Sequence, residues 1–105
     1  MNALTGTWDV SLRTPIGTLT VQYLFEETPD GLRGTARGRD ETVKLRGLAT
    51  GPADGGIRAT WSRRVTRPLR LDLGFDVVVT GDELTGHSRA GRLPRTRVTG
   101  RRVAA

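Results

Sequence analysis

The chain has 105 residues, 35% of them hydrophobic and 5% aromatic, enough for one modest core, and no cysteine, which excludes a disulfide framework, a thiolate metal cluster and a thiol nucleophile. Seventeen Lys and Arg oppose eleven Asp and Glu, a formal charge of +6, with Lys44 the only lysine. The opening MNALTGTWDV has no basic segment followed by an apolar core, and no run approaches the roughly 18 apolar residues of a membrane helix, so the expectation is one soluble, cytoplasmic domain over 1–105 without membrane contact.

Read in chain order, the dominant period is two. Residues 4–13 carry Trp8, Val10 and Leu12 on one face. In 17–28, Leu19, Val21, Tyr23 and Phe25 alternate with Thr18, Thr20 and Gln22. Shorter strands are expected over 31–38 and 41–50, then longer ones over 56–66 and 68–80. The last of these is the most regular: Leu69, Leu71, Leu73, Phe75, Val77 and Val79 alternate with Arg70, Asp72, Gly74 and Asp76. Two more, 83–90 and 95–103, complete eight. The turns between them fall at TPIG, TPDG, GRD, GPADGG, the TRP step at 66–68, TGDE and GRLP, stretches rich in the residues that reverse a chain. No window of a dozen residues shows an amphipathic helix, so helix content should be near zero.

The two halves resemble each other. LTGTWDVSLRTPI at 4–16 aligns without gaps on IRATWSRRVTRPL at 57–69, placing Trp8 on Trp61 and Pro15 on Pro68, and pseudo-repeats over 4–50 and 57–102 follow. An antiparallel meander that repeats Gly and Thr at such intervals is the plainer account. Eight sequential antiparallel strands, each with one apolar face, bury that face by closing. The expected fold is all-β, an eight-stranded antiparallel up-and-down barrel.

The run GTW, TPIG, GLRGTARG, ATW, a Pro-containing strand, ELTGHSRAG and terminal TGRR resembles the calycin-type barrels, the lipocalins and avidins. More closely, it resembles a family of small bacterial lipocalin-like barrels. That resemblance implies that Trp8 of the first strand packs at the closed end beneath an arginine of the last. Strand parity puts Arg102 in that role, with Arg101 as the rival, and an arginine lying on an indole face has its own cation–π rationale.

The inward set is strongly apolar, and Gly34, Ala36, Gly47, Ala59, Gly86 and Gly100 withdraw volume from it. Either a cavity results, or the barrel needs small residues to close and Trp61 and Phe75 fill its middle. For a cavity, Trp61, Phe75, Leu73 and Phe25 are the expected walls. Tyr23 and Arg63 are the expected polar anchors or catalytic groups, with Glu41 beside the Trp61 indole. Tyr23 has the hydroxyl to donate to a carbonyl, and Arg63 the fork to hold a carboxylate or enolate.

Other sites fare worse. His87, the only histidine, shares outward parity with Thr85 and Arg89. Adjacent acid pairs such as Glu26-Glu27 point to opposite faces. No metal motif, nucleotide loop or nucleophile elbow is present, so neither metal nor cofactor is expected. Residues 1–56 carry six basic and seven acidic side chains, whereas 57–105 carry eleven and four. Such a basic half suits nucleic acid or an acidic carrier protein, but exposed aromatics for stacking are absent, so nucleic acid is disfavoured. Leu24, Leu48 and Val78 fall on the outer parity, as a homodimer face would. The leading expectation is a lipocalin-like barrel that binds a small, mostly apolar molecule. A cyclase or isomerase of natural-product biosynthesis, acting by substrate preorganisation, is the enzyme alternative, and a basic interaction module is the third.

Overall fold

The structure is a computed structural model and describes residues 3–14, 17–38, 42–65 and 71–103. The TPIG turn at Pro15 and Ile16, Arg39 and Asp40 of the GRD turn, Glu41, and residues 66–70 with the Pro68 step lie outside the described residues.

Nine strands and no helix are present among the described residues: β1 (Gly6–Thr14), β2 (Gly17–Thr28), β3 (Gly31–Arg37), β4 (Thr42–Lys44), β5 (Arg46–Ala53), β6 (Gly56–Val65), β7 (Leu71–Thr80), β8 (Glu83–Arg89) and β9 (Thr96–Arg102). No helix among the described residues is therefore long and apolar enough to cross a membrane. The strands form one antiparallel sheet in the order β4-β3-β2-β1-β9-β8-β7-β6-β5. Its edge strands, β4 and β5, are consecutive in the chain and separated by Leu45 alone. The sheet therefore curls into a nearly closed barrel.

Here the expected count of eight is corrected. The single strand expected over 41–50 is two, because the chain changes partner at Leu45: Thr42–Lys44 ladder with β3, and Arg46 onward with β6. At the break the Leu45 N–H donates to the Gly34 carbonyl at 2.9 Å. Just beyond it the register shifts between Arg46 and Ala49, where Gly47 has φ +62°, a left-handed backbone that glycine adopts without cost. This bulge flips the parity downstream. Gly47 is exposed instead of inward, and Leu48, expected on the outer surface with Leu24 and Val78, packs against the core. The expected GPADGG turn also shortens, since β5 continues through Pro52 to Ala53 and the reversal is made by Asp54 and Gly55.

Elsewhere alternation is realised directly. In β2, Val21, Tyr23 and Phe25 are buried between exposed neighbours, and in β7 Phe75, Val77 and Val79 are buried while Asp72, Gly74 and Asp76 face solvent. Both long strands thus turn one apolar row to a common core shared with Trp8, Val10, Leu12, Ala36, Ala59, Trp61, Leu84 and Val98. The inward glycines mark close approach. A Cβ on Gly86 would collide with the Asp76 carbonyl and Val77 Cα, and one on Gly34 would sit 2.6 Å from Leu45 Cδ1 and 3.0 Å from the Phe25 ring. The volume those glycines give up is taken by neighbouring strands and side chains.

Antiparallel connection defines two ends. The lower end carries Gly6, Gly31, Gly56, Glu83 and Arg102; the upper end carries Thr14, Gly17, Arg37, Arg89 and Thr96.

Candidate functional site

Register brings the large side chains of the inner face together. Trp61 of β6 lies opposite Phe75 of β7, and the two rings stack with centroids 5.2 Å apart and planes 12° from parallel. From across the barrel, Tyr23 of β2 approaches Trp61 at 5.5 Å and Phe75 at 6.1 Å, edge-on to the latter. Phe25, two residues nearer the lower end, stacks on Tyr23 at 6.0 Å and meets Trp61 edge-on at 5.4 Å. These spacings are those of aromatic pairs in direct packing. The middle of the barrel is thus occupied by four rings, and Phe25 serves as their base.

Polar atoms are trapped among them. The Tyr23 hydroxyl, the Trp61 indole Nε1, the Arg63 Nε and the Ser88 Oγ are buried without a hydrogen-bond partner. Three of their side chains are neighbours, the Arg63 guanidinium carbon standing 5.8 Å and the Trp61 ring 5.5 Å from the Tyr23 ring centroid, while Ser88 of β8 lies opposite Phe75 in the ladder. Burial pushes the Tyr23 phenol up to about 12, an effect only partly offset by the Arg63 charge and by hydrogen bonding from the Trp61 indole, which faces the hydroxyl short of full hydrogen-bond geometry. Tyr23 is therefore a neutral donor at physiological pH and has no standing as a base.

Arg63 is half-buried at the upper end, opposite the half-buried Leu73. Leu19, inward by alternation, is 52% exposed at this same end. Trp61, Phe75 and Tyr23 thus meet at the middle of the inner face with Arg63 and Leu73 on their upper side, whereas Glu41 lies outside the described residues. Ser88 was not singled out by sequence reasoning. Its signal was the inward parity it shares with Leu84 and Gly86 in β8.

The lower end is sealed differently. Trp8 is fully buried, and its indole N–H donates to the Leu4 carbonyl at 2.9 Å. The Arg102 guanidinium covers the Trp8 ring at 4.4 Å, bonds Asp82 through Nε at 2.8 Å, and donates to the carbonyls of Thr5 and Ala3. Arg101 instead points outward, with Glu83 3.9 Å away.

His87 is exposed on the outer face opposite Asp76 and Arg97. A two-pronged bond from Arg58, at 2.8 and 2.5 Å, holds the Asp76 carboxyl below its ordinary value, with His87 adding a smaller pull in the same direction. Clefts of about 440–500 Å³ lie on this outer face, and a further one of about 380 Å³ is lined by outer residues such as Asp76 and His87 together with Trp61, Phe75 and Ser88 of the inner row. One is lined by Ser11, Arg13, Thr18, Arg97 and Thr99 without an acid, and in it Arg13 stands directly opposite Arg97 across β1 and β9. Among the described residues no group of three or more His, Cys, Asp or Glu is placed to hold a metal ion.

Compared with protein-family models, with curated proteins and with solved structures, the chain matches none.

Proposed function

We propose that this chain is a lipocalin-like barrel that binds a small, mostly apolar molecule at the upper half of its inner face, on a floor made by Tyr23, Trp61 and Phe75. The observation that carries the reading is the concentration of orphaned polar atoms. All four buried side-chain polar atoms without a partner, among the described residues, belong to Tyr23, Trp61, Arg63 and Ser88. An unpaired buried donor costs about 1–3 kcal/mol, a cost that folding alone has no reason to gather in one place. A ligand with an acceptor atom satisfies several of them at once. Because four rings already fill the centre, the ligand is small and sits toward the exposed side chains of Leu19 and the half-buried Leu73.

Titration with naphthalene, a neutral apolar probe, tests the reading through the two tryptophan indole N–H resonances. The Trp61 signal should shift saturably and equally in low and high salt, while that of Trp8, tied to Leu4, stays in place. Absence of a saturable Trp61 shift would end the proposal. The same residues suit a cyclase or isomerase that preorganises its substrate, since a protonated Tyr23 beside Arg63 is equipped to polarise a carbonyl.

A second reading draws on the outer face, where Arg13 opposes Arg97 across adjacent strands. Like charges placed directly opposite destabilise a ladder unless an anion lies between them, which suits a basic interaction module. Steep loss of retention on an anionic matrix in Arg13→Ala and Arg97→Ala, but not in Arg63→Met, would select this reading.

A further inference from the structure

We infer that the ligand of the inner face is an organic anion, a carboxylate or enolate on an apolar body, whose oxygen is held by Arg63, Trp61, Tyr23 and Ser88. The inference rests on the inner-face reading above and adds the sign and chemistry of the head group.

The argument is one of donors against acceptors. An indole N–H and a guanidinium N–H only donate. The two hydroxyls, of Tyr23 and Ser88, each have a proton to give. No carboxylate among the described residues lies within ion-pair distance of Arg63, in contrast to Arg102, the other half-buried arginine among them, which has Asp82. Along β6, β7, β8 and β9 the inward row Trp61, Phe75, Ser88 and Thr96 contains no acid either. A half-buried cation without a counter-charge among the described residues, together with three further unpaired donors, leaves this set of side chains short of negative charge and of lone pairs. Water supplies lone pairs but no charge; an oxyanion supplies both.

Geometry then orients the guest. Arg63 is two residues closer to the upper end than Trp61 on the same strand and overhangs the Tyr23 ring. The oxygen head accordingly sits between the guanidinium and the indole and hydroxyl donors, and the apolar body rests along Leu73 and Leu19 toward the upper end. The neutral phenol strengthens this arrangement, because a phenolate would repel the anion.

A matched pair of probes, phenylacetate and phenylacetamide, tests the charge while holding the body constant. Titrations at neutral pH, followed by the Trp61 indole N–H resonance, should show phenylacetate binding about tenfold tighter than the amide. Arg63→Met should abolish that preference while keeping amide binding, and Arg63→Lys, which retains the charge, should restore part of it. Equal affinities in the unmodified chain, or a preference that survives Arg63→Met, would overturn the anion while leaving the inner-face reading intact. Phenylacetate binding that moves outer-face resonances and leaves Trp61 unmoved also overturns it. If neither probe nor naphthalene shifts Trp61, the inner-face reading itself has failed, and the anion with it.

Discussion

Arg102 and Trp8 form the lower seal of the barrel: the guanidinium lies 4.4 Å from the indole centroid while its nitrogens reach Asp82 and the carbonyls of Thr5 and Ala3. One side chain thereby ties β9 to the segment before β1 and to the β7–β8 turn. Only 26% of it is exposed, so its bonds are poorly screened. Arg102→Ala should lower unfolding stability by about 2–4 kcal/mol in a urea titration, combining a desolvated cation–π contact with charged hydrogen bonds. Arg101→Ala, whose side chain is exposed beside Glu83, should change it by less than about 0.5 kcal/mol. Equal effects of the two would remove the special standing given to Arg102.

Tyr23 sets stability against binding. Its hydroxyl is buried without a partner, so Tyr23→Phe should stabilise the unliganded protein by about 1 kcal/mol while weakening phenylacetate. Thermal unfolding and probe titration on the same variant check both signs.

The same residue predicts a loss of stability at high pH. Because the folded phenol is raised to about 12 from 10.0, the folded state keeps its proton where the unfolded chain loses it. The contribution is complete below pH 10 and is lost as pH rises toward 12, a fall of about 2–3 kcal/mol over that window. Tyr23→Phe should flatten this slope. As Tyr23 is the only tyrosine, phenolate absorbance reports its titration alone.

At the acid end the relevant pair is Arg58 and Asp76. Asp76 is held below its ordinary 3.8, so its contribution is present above that value and is lost as pH falls through the lower folded one. Both side chains are half-exposed, which limits the effect of Asp76→Asn near neutral pH to about 1 kcal/mol or less. The gap between variant and parent should close on acidification.

Gly86 tests close packing between β7 and β8. A methyl there meets the Asp76 carbonyl and Val77 Cα, so Gly86→Ala should cost more than about 2 kcal/mol. Gly51, with nothing within 4 Å and an ordinary φ, should accept alanine with a change within about 0.5 kcal/mol.

Strands were legible wherever one face was uniformly apolar: β2 begins and ends where alternation puts it, and β7 ends there. The break at Leu45 was not, because Val43 and Leu45 keep the alternation going and the change of partner depends on how far the sheet has curled. Gly47 was the one local cue, and it displaced Leu48 from the outer face to the core. At the candidate site, parity placed Tyr23, Trp61 and Arg63 on the inner face, and chain distance gave no hint that Tyr23 would lie within 6 Å of residues nearly forty positions away. Ser88 stayed hidden because a serine acquires meaning there only through its neighbour Phe75.

The change of partner at Leu45 makes the barrel behave like a belt with a clasp. Most neighbouring strands are joined by six to nine facing residues, yet β4 grips β3 through three, reinforced by the single bond from Leu45 to Gly34. Amide protons of Thr42–Lys44 and Leu45 are accordingly the first to exchange with solvent when the ring loosens, and those of β9, the middle strand of the sheet, the last.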